Sequence, residues 1–360
     1  MENFSSFKKD LKEFAKKEIR HRSQKNENSE KYDFQTAKEI CKKGWLGIST
    51  PKEYGGAEKE PVWTYELIRT FSQEDITTAA IITGQFTLVA EILLNEASEE
   101  LKNEYIPKIL NGEINGCYAL TEPDAGSNPS QMKSTVKNTD KGWILNGQKM
   151  WITNGNIAEI AIVYAKEENQ ISCFLVDMDS EGISRTKIHG KMGFKSSDTA
   201  EISFDNVFIP KKNRIGKKGK GLNIAFRALD NGRLGISAMA IGAIEGIQKK
   251  LIELAKKKPS QKSMEDVAKV QVIIESCKSL LDKTIQLKTE KRNFTKYASM
   301  AKLKGTEGAS IAANILIEKS QDDYAKKVWK DVRVMELFEG TSEIQKLIIG
   351  NITTGERAFN

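Results

Sequence analysis

Histidine is nearly absent: His21 and His189 are the only two among 360 residues. A three-histidine metal site and an HExxH motif are therefore excluded. A Ser-His-Asp arrangement would have to recruit one of the pair, and neither sits in a recognisable nucleophile context. Cysteine is sparse too. Cys41, Cys117, Cys173 and Cys277 lie far apart with no CxxC, and they read as reduced, mostly buried thiols of a cytoplasmic protein, with no metal site. The start, Met1-Glu2-Asn3-Phe4, lacks the apolar core of a signal peptide. The most apolar stretch, residues 77–94, is broken by Gly84, Gln85 and Glu91, which suits a buried helix of a soluble protein better than a membrane span. Lysine and arginine number 56 against 49 acidic residues, a balance of +7 spread along the chain. A solvated lysine-rich surface accounts for it, and no nucleic-acid motif is present.

Apolar residues make up 39% of the chain and charged residues 29%, enough for a sizeable core and two to three domains. The apolar period then divides it. Phe4, Phe7, Leu11 and Phe14 share one helical face, and segments near 31–44, 60–73, 77–96 and 98–110 behave alike. Pro51 and Gly55-Gly56 mark a loop. From 116 to 210 the pattern alternates or forms short runs, predicting strands at 160–165, 171–176 and 200–209. Asn146-Gly147, between Trp143-Ile144-Leu145 and residues 148–151, predicts a hairpin turn. Residues 211–221 are a basic connector. Beyond it, Ile244, Ile247, Leu251 and Leu254 form one helical stripe, and Val267, Val270, Ile274, Cys277 and Leu281 another. Such seams pack as an antiparallel bundle. The expected fold is α+β: an all-α domain at 1–113, a β domain at 114–212 and a four-helix-type bundle at 213–360.

Four segments could carry chemistry. In Cys117-Tyr118-Ala119-Leu120-Thr121-Glu122-Pro123-Asp124-Ala125-Gly126-Ser127-Asn128 a strand enters a Pro/Gly turn whose backbone N–H groups can cradle an electron-rich ligand. In Lys149-Met150-Trp151-Ile152-Thr153-Asn154-Gly155, Trp151 and Thr153 fall on one face of a strand, where a flat ring could stack. Asp230 and Arg233 are three apart and can pair across one helical turn, though such a pair on a surface is worth little. In Glu336-Leu337-Phe338-Glu339-Gly340-Thr341-Ser342-Glu343-Ile344-Gln345, Gly340 permits a turn, Thr341 can cap the next helix and Glu343 suits its first turn. Glu339 at that break could be a buried base, since burial moves a carboxyl toward neutrality. Taken singly, each segment also has an ordinary structural explanation.

Together, in this order and spacing, the four segments resemble the acyl-CoA dehydrogenase flavoproteins. The Thr-Glu-Pro-x-Ala-Gly-Ser run at 121–127 and the Glu-Gly-Thr-Ser-Glu run at 339–343 are the most specific elements. The resemblance implies FAD, bound by Tyr118, Ala119, Leu120, Thr121, Gly126, Ser127, Trp151, Ile152, Thr153, Gln271, Thr341, Ser342 and Glu343. It implies substrate contacts at Ser127, Asp230, Arg233 and Gly340. Glu339 would be the catalytic base, taking the α-proton of an acyl thioester on CoA or a carrier protein and leaving a trans-2-enoyl thioester. The position at which some members carry the base on another helix is Gly232 here. The resemblance further implies an electron-transfer flavoprotein or other acceptor as partner, and a homo-oligomer, dimer or tetramer. Two family elements are missing. Lys256-Lys257-Lys258-Pro259-Ser260-Gln261 replaces an Arg-x-x-Phe-Gly run that contacts the neighbouring subunit's FAD, and Ile315 and Leu316 stand where a Gly-Gly-x-Gly motif is expected. A non-catalytic binding subunit and a flavin oxidase on the same scaffold are the competing readings.

Overall fold

The computed structural model describes residues 3–357. Helix α1 (Phe4–Phe14) starts at Asn3, whose side chain accepts the Ser6 N–H, and buries Phe7, Leu11 and Phe14. A π-helical turn leads into α2 (Arg20–Ser29). Then follow α3 (Phe34–Lys42), α4 (Pro61–Ser72), α5 (Ile76–Gly84), α6 (Glu91–Glu96) and α7 (Glu99–Asn111). A second π-helical stretch, Gln85–Ala90, joins α5 to α6. By length and composition, Ile76–Glu96 could cross a membrane, but 83% of its apolar window is buried inside the fold, so it is a core helix.

The middle of the chain forms one sheet from β1 (Gly116–Ala119), β2 (Thr135–Asn138), β3 (Gly142–Thr153), β4 (Ile160–Glu167), β5 (Gln170–Asp177), β6 (Ile183–Lys187), β7 (Thr199–Pro210) and β8 (Arg214–Ile215). Its order is β6-β7-β3-β2-β4-β5-β8, with β1 pairing parallel to β4. Strands β4 and β5 are buried on both faces, which is why they read as unbroken apolar runs. Ile160, Ile162, Tyr164, Cys173 and Leu175 join the large core shared with the helices. Ala161, Val163, Phe174 and Val176 face a second core with Trp143, Leu145 and Phe204.

The expected hairpin at Asn146-Gly147 is not formed. Strand β3 runs straight through it, and the pairing with β7 slips by a bulge between Leu145 and Gly147. The tight glycine is needed for another reason. Gly147 has φ +147°, and a Cβ there would meet Ser134 Oγ at 2.3 Å. An Asn-Gly pair thus serves close backbone approach rather than chain reversal.

The chain closes with α8 (Gly221–Lys257), α9 (Gln261–Thr289), α10 (Thr295–Lys319), α11 (Asp323–Met335) and α12 (Ser342–Thr354). The stripe Ile244, Ile247, Leu251 is buried, as is Val270, Ile274, Cys277, Leu281. Helix α8 also packs on α4: Ser72 Oγ donates to Met239 O at 2.6 Å, and Gly242 leaves room for the Arg69 carbonyl. The terminal helical regions therefore share one core.

A buried charge cluster ties these parts together. Lys327 of α11 meets Asp331 at 2.5 Å, Asp75 at 2.8 Å and Glu27 of α2 at 3.8 Å. Asp331 also accepts the Phe194 N–H at 2.7 Å, and the Phe194 ring packs edge-on against Phe338 at 5.6 Å. Removing the single cation would strand three buried carboxylates. Lys327→Met is expected to destabilise the protein by about 3–5 kcal/mol, read from urea unfolding at pH 7. A loss below about 1 kcal/mol, the range of a surface pair, would show that the cluster is solvated.

Candidate active site

Between α11 and α12 the backbone turns at Glu339 and Gly340, with φ +57° and +87°. Gly340 accepts that conformation freely; for Glu339 the left-handed region costs roughly 1–2 kcal/mol. Three side chains hold the turn. Arg233 Nε and Gln345 Nε2 donate to the Glu339 carbonyl at 3.4 and 3.2 Å. Gln345 Nε2 and Lys302 Nζ donate to the Gly340 carbonyl at 2.8 and 2.9 Å, and Lys302 also donates to Glu336 O at 3.2 Å. Thr341 caps α12, accepting the Ile344 N–H as its residue type predicts.

The turn aims the Glu339 side chain at α8. Its Oε2 is enclosed and has no hydrogen-bond partner. Directly beneath lies Gly232, where a Cβ would stand 1.9 Å from that oxygen. Enclosure outweighs the opposing pull of Arg233 and Lys302, so the carboxyl is pushed up to about 7. Lys302 moves the other way. Burial brings its ammonium down to about 8, against the attraction of Glu339. On the same turn of α8, Arg233 Nη1 meets Asp230 Oδ1 at 2.6 Å, and Thr295 donates to the other Asp230 oxygen at 2.6 Å. This pair is enclosed and belongs to the site; it is not the surface pair that spacing alone would allow.

Glu339 lines a cleft of about 640 Å³ between α8, α12 and the sheet. Tyr118, Leu120, Thr121, Gly126, Ser127, Trp151, Ile152, Thr153, Asp230, Arg233 and Gly340 line it as well. Trp151 has φ +60° at a bulge in β3 and is 58% exposed. Trp151 and Glu339 line the same cleft, and an exposed indole there suits the stacking of a flat aromatic ring. The 121–127 turn is anchored from below. Glu122 accepts from Ser134 N at 3.1 Å and from Lys149 Nζ at 2.8 Å, while Lys149 also donates to Leu120 O at 3.1 Å.

Other candidate residues lie outside the cleft lining. Ala119 is buried in β1. Thr341 is the α12 cap, Ser342 is buried and Glu343 is exposed in the first turn. Gln271 sits apart, in a polar cavity with Arg69 and Gln248, where it accepts from Gln248 Nε2 at 3.3 Å. Lys302, Gln345 and the Glu122–Lys149 pair were not singled out from sequence. A signal for Lys302 existed: it shares the buried stripe of Ala298, Ala301, Gly305, Thr306 and Ala309 on α10, where a cation is out of place.

Known proteins share this architecture along almost the whole chain. Models of the N-terminal, middle and C-terminal domains of acyl-CoA dehydrogenase match residues 2–113, 117–207 and 219–353. A short-chain-specific acyl-CoA dehydrogenase of Clostridium acetobutylicum is 30% identical over 94% of each chain. Subunit CarC of the caffeyl-CoA reductase–Etf complex of Acetobacterium woodii is 30% identical over 95% of each. The structure of a glutaryl-CoA dehydrogenase from Mycobacterium smegmatis in complex with FADH2 superposes with a TM-score of 0.94 at 27% identity, covering 99% of this chain and 95% of that one. The chain belongs to the acyl-CoA dehydrogenase family of oxidoreductases.

Proposed function

We propose that this protein, with FAD as its cofactor, removes the α and β hydrogens of an acyl-CoA thioester. The observation that carries the reading is Glu339: a carboxylate lining the cleft, unpartnered at Oε2, pushed up to about 7 and fixed by a pinned turn. A base must be ionised at the working pH yet basic enough to take a carbon-bound proton, and a value near neutrality meets both needs. Tyr118, Leu120, Thr121, Gly126, Ser127, Trp151 and Thr153 would hold the cofactor. FAD, when bound, supplies the acceptor for the hydride of the β-carbon.

The protein's own groups do the rest. Glu339 takes the α-proton onto its carboxylate. The enolate oxygen that develops at the thioester carbonyl is met by the backbone N–H of Glu339, as in an oxyanion hole. Arg233, Lys302 and Gln345 hold the backbone of the turn that carries the base. The apolar walls, including Leu88, Val89 and Phe338, exclude water from the acyl group. The likeness to a subunit of an Etf complex supports an electron-transfer flavoprotein as the redox partner. Retention of Glu339, Trp151 and Thr153 speaks against a non-catalytic homologue.

Purified protein is expected to be yellow and to bleach anaerobically with a short saturated acyl-CoA. Glu339→Gln should retain the colour and bleach about 10²–10⁴-fold more slowly. Bleaching by the variant at the original rate would remove the assigned base. Parallel trials with carrier-protein thioesters separate the two carrier classes.

The same carboxyl links stability to pH. Its value is higher folded, about 7, than unfolded, 4.5. Its contribution is thus fully present below pH 4.5 and lost as pH rises through 7. Glu339→Gln cannot ionise and escapes that loss. In cofactor-free protein the variant should match the wild type near pH 4.5 and exceed it by on the order of 1–3 kcal/mol at pH 8. Melting curves across that range test it; parallel curves would place the carboxyl in solvent.

A further inference from the structure

We propose that Phe194 is a positioning residue for the reaction: its ring braces Phe338 and so sets the Glu339 turn against the sheet. The inference rests on the role of Glu339 given above, but its observations are separate. Loss of hydrogens from two adjacent carbons requires the base and the cofactor wall to keep a fixed separation. Glu339 stands on the helical bundle, whereas Trp151 and Thr153 of the facing wall belong to β3. A contact that fixes one wall against the other therefore bears on the chemistry even though it touches no substrate. The segment between β6 and β7 makes such a contact. Gly193 lies so close to α11 that a Cβ there would stand 2.9 Å from the Lys330 carbonyl carbon and oxygen and 3.0 Å from Asp331 Cα. These are backbone atoms of a helix, with no free end to swing aside.

Next to it Phe194 has φ +52°, a conformation that a bulky side chain adopts only at a cost. Its backbone is held there from both ends. The Phe194 N–H donates to Asp331 Oδ1 at 2.7 Å, and the Phe194 carbonyl accepts the Ser197 N–H at 3.0 Å. Lys191 Nζ closes the segment by donating to the Ser197 carbonyl at 2.5 Å and the Thr199 hydroxyl at 2.8 Å. Asp331 is itself fixed by the buried Lys327. What the strained backbone delivers is the ring. Phe194 is buried and meets Phe338 edge-on, with centroids 5.6 Å apart and planes at 75°. Phe338 immediately precedes Glu339 and itself lines the cleft. Arg233, Lys302 and Gln345 hold the turn from within the bundle, and Phe194 is their counterpart from the sheet side. A glycine at 194 would take the same φ without strain but would present no ring. Strain kept beside a reactive site points to a use for the side chain that bears it.

Phe194→Gly suits the backbone and removes the ring alone, which separates the two roles. In FAD-loaded protein the kcat for acyl-CoA oxidation is expected to fall about 10- to 100-fold, as a misplacement of up to about 1 Å does, with KM changed less than about threefold. The acidic limb of the kcat/KM–pH profile, near 7 in the wild type, should move to lower pH, because a carboxyl on a looser turn meets more water. Phe194→Leu keeps most of the buried volume and should bring kcat back to within about threefold of wild type, with the limb in its original place. In a Phe338→Ala background the ring pair is already broken, so Phe194→Gly should cost less than about threefold more, a non-additivity expected of touching residues. The proposal is overturned if Phe194→Gly leaves kcat within about twofold of wild type and the limb unmoved while Glu339→Gln is inactive. It is also overturned if the loss is as large in the Phe338→Ala background, or if Phe194→Leu is no better than Phe194→Gly. Should Phe194→Gly not hold FAD, Phe194→Ala carries the same test, and an unmoved acidic limb there overturns the proposal. An active Glu339→Gln would instead sink the assignment of the base itself.

Discussion

Two backbone carbonyls, those of Glu339 and Gly340, organise this molecule's chemistry. Hydrogen bonds from Arg233, Lys302 and Gln345 converge on them and keep a non-glycine residue in the left-handed region. The cost of that conformation is small against four charge-assisted or amide hydrogen bonds. The donors come from α8, α10 and α12, so the turn is formed only when the bundle is packed. A carboxylate on a free loop would sample many orientations; here the side chain starts from a fixed Cα.

The electrostatics of the site follow from the same convergence. Arg233 and Lys302 stand close enough to stabilise an ionised Glu339, yet their hydrogen bonds go to backbone carbonyls, and Oε2 receives none. The cations therefore temper the effect of burial without cancelling it, and the carboxyl stays near neutrality. A direct salt bridge would have pulled it down into the ordinary carboxylate range and weakened it as a base. Asp230 contributes by engaging Arg233 Nη1, which helps fix the guanidinium whose Nε reaches the Glu339 carbonyl. The sheet builds the opposite wall in a comparable way. Glu122 and Lys149 form a buried pair whose bonds hold the 121–127 turn and the Leu120 carbonyl in place, while Trp151 stays open above.

How much of this could be read along the chain depends on the range of the interaction involved. The stripes of α1, α8 and α9, the runs of β4 and β5, and the Thr341 cap were legible because each depends on neighbours within a few residues. Asp230 and Arg233 were legible as a pair for the same reason, though not their enclosure. Asn146-Gly147 misled because the conformational freedom of glycine serves a turn and a close approach equally well, and only the contact with Ser134 decides between them. Gln271, matched only through the resemblance, lines a separate polar cavity of this chain with Arg69 and Gln248.

From the sequence alone follow the order helix, strand, helix, the break before α12 and the presence of one carboxylate at that break, because periodicity, capping and glycine act locally. The tertiary structure alone decides that Gly232 lies under Glu339, that Lys302 and Arg233 grip the turn from 38 and 106 residues away, and that the carboxyl is enclosed. Desolvation is a property of everything packed around a group, and no single segment encodes it.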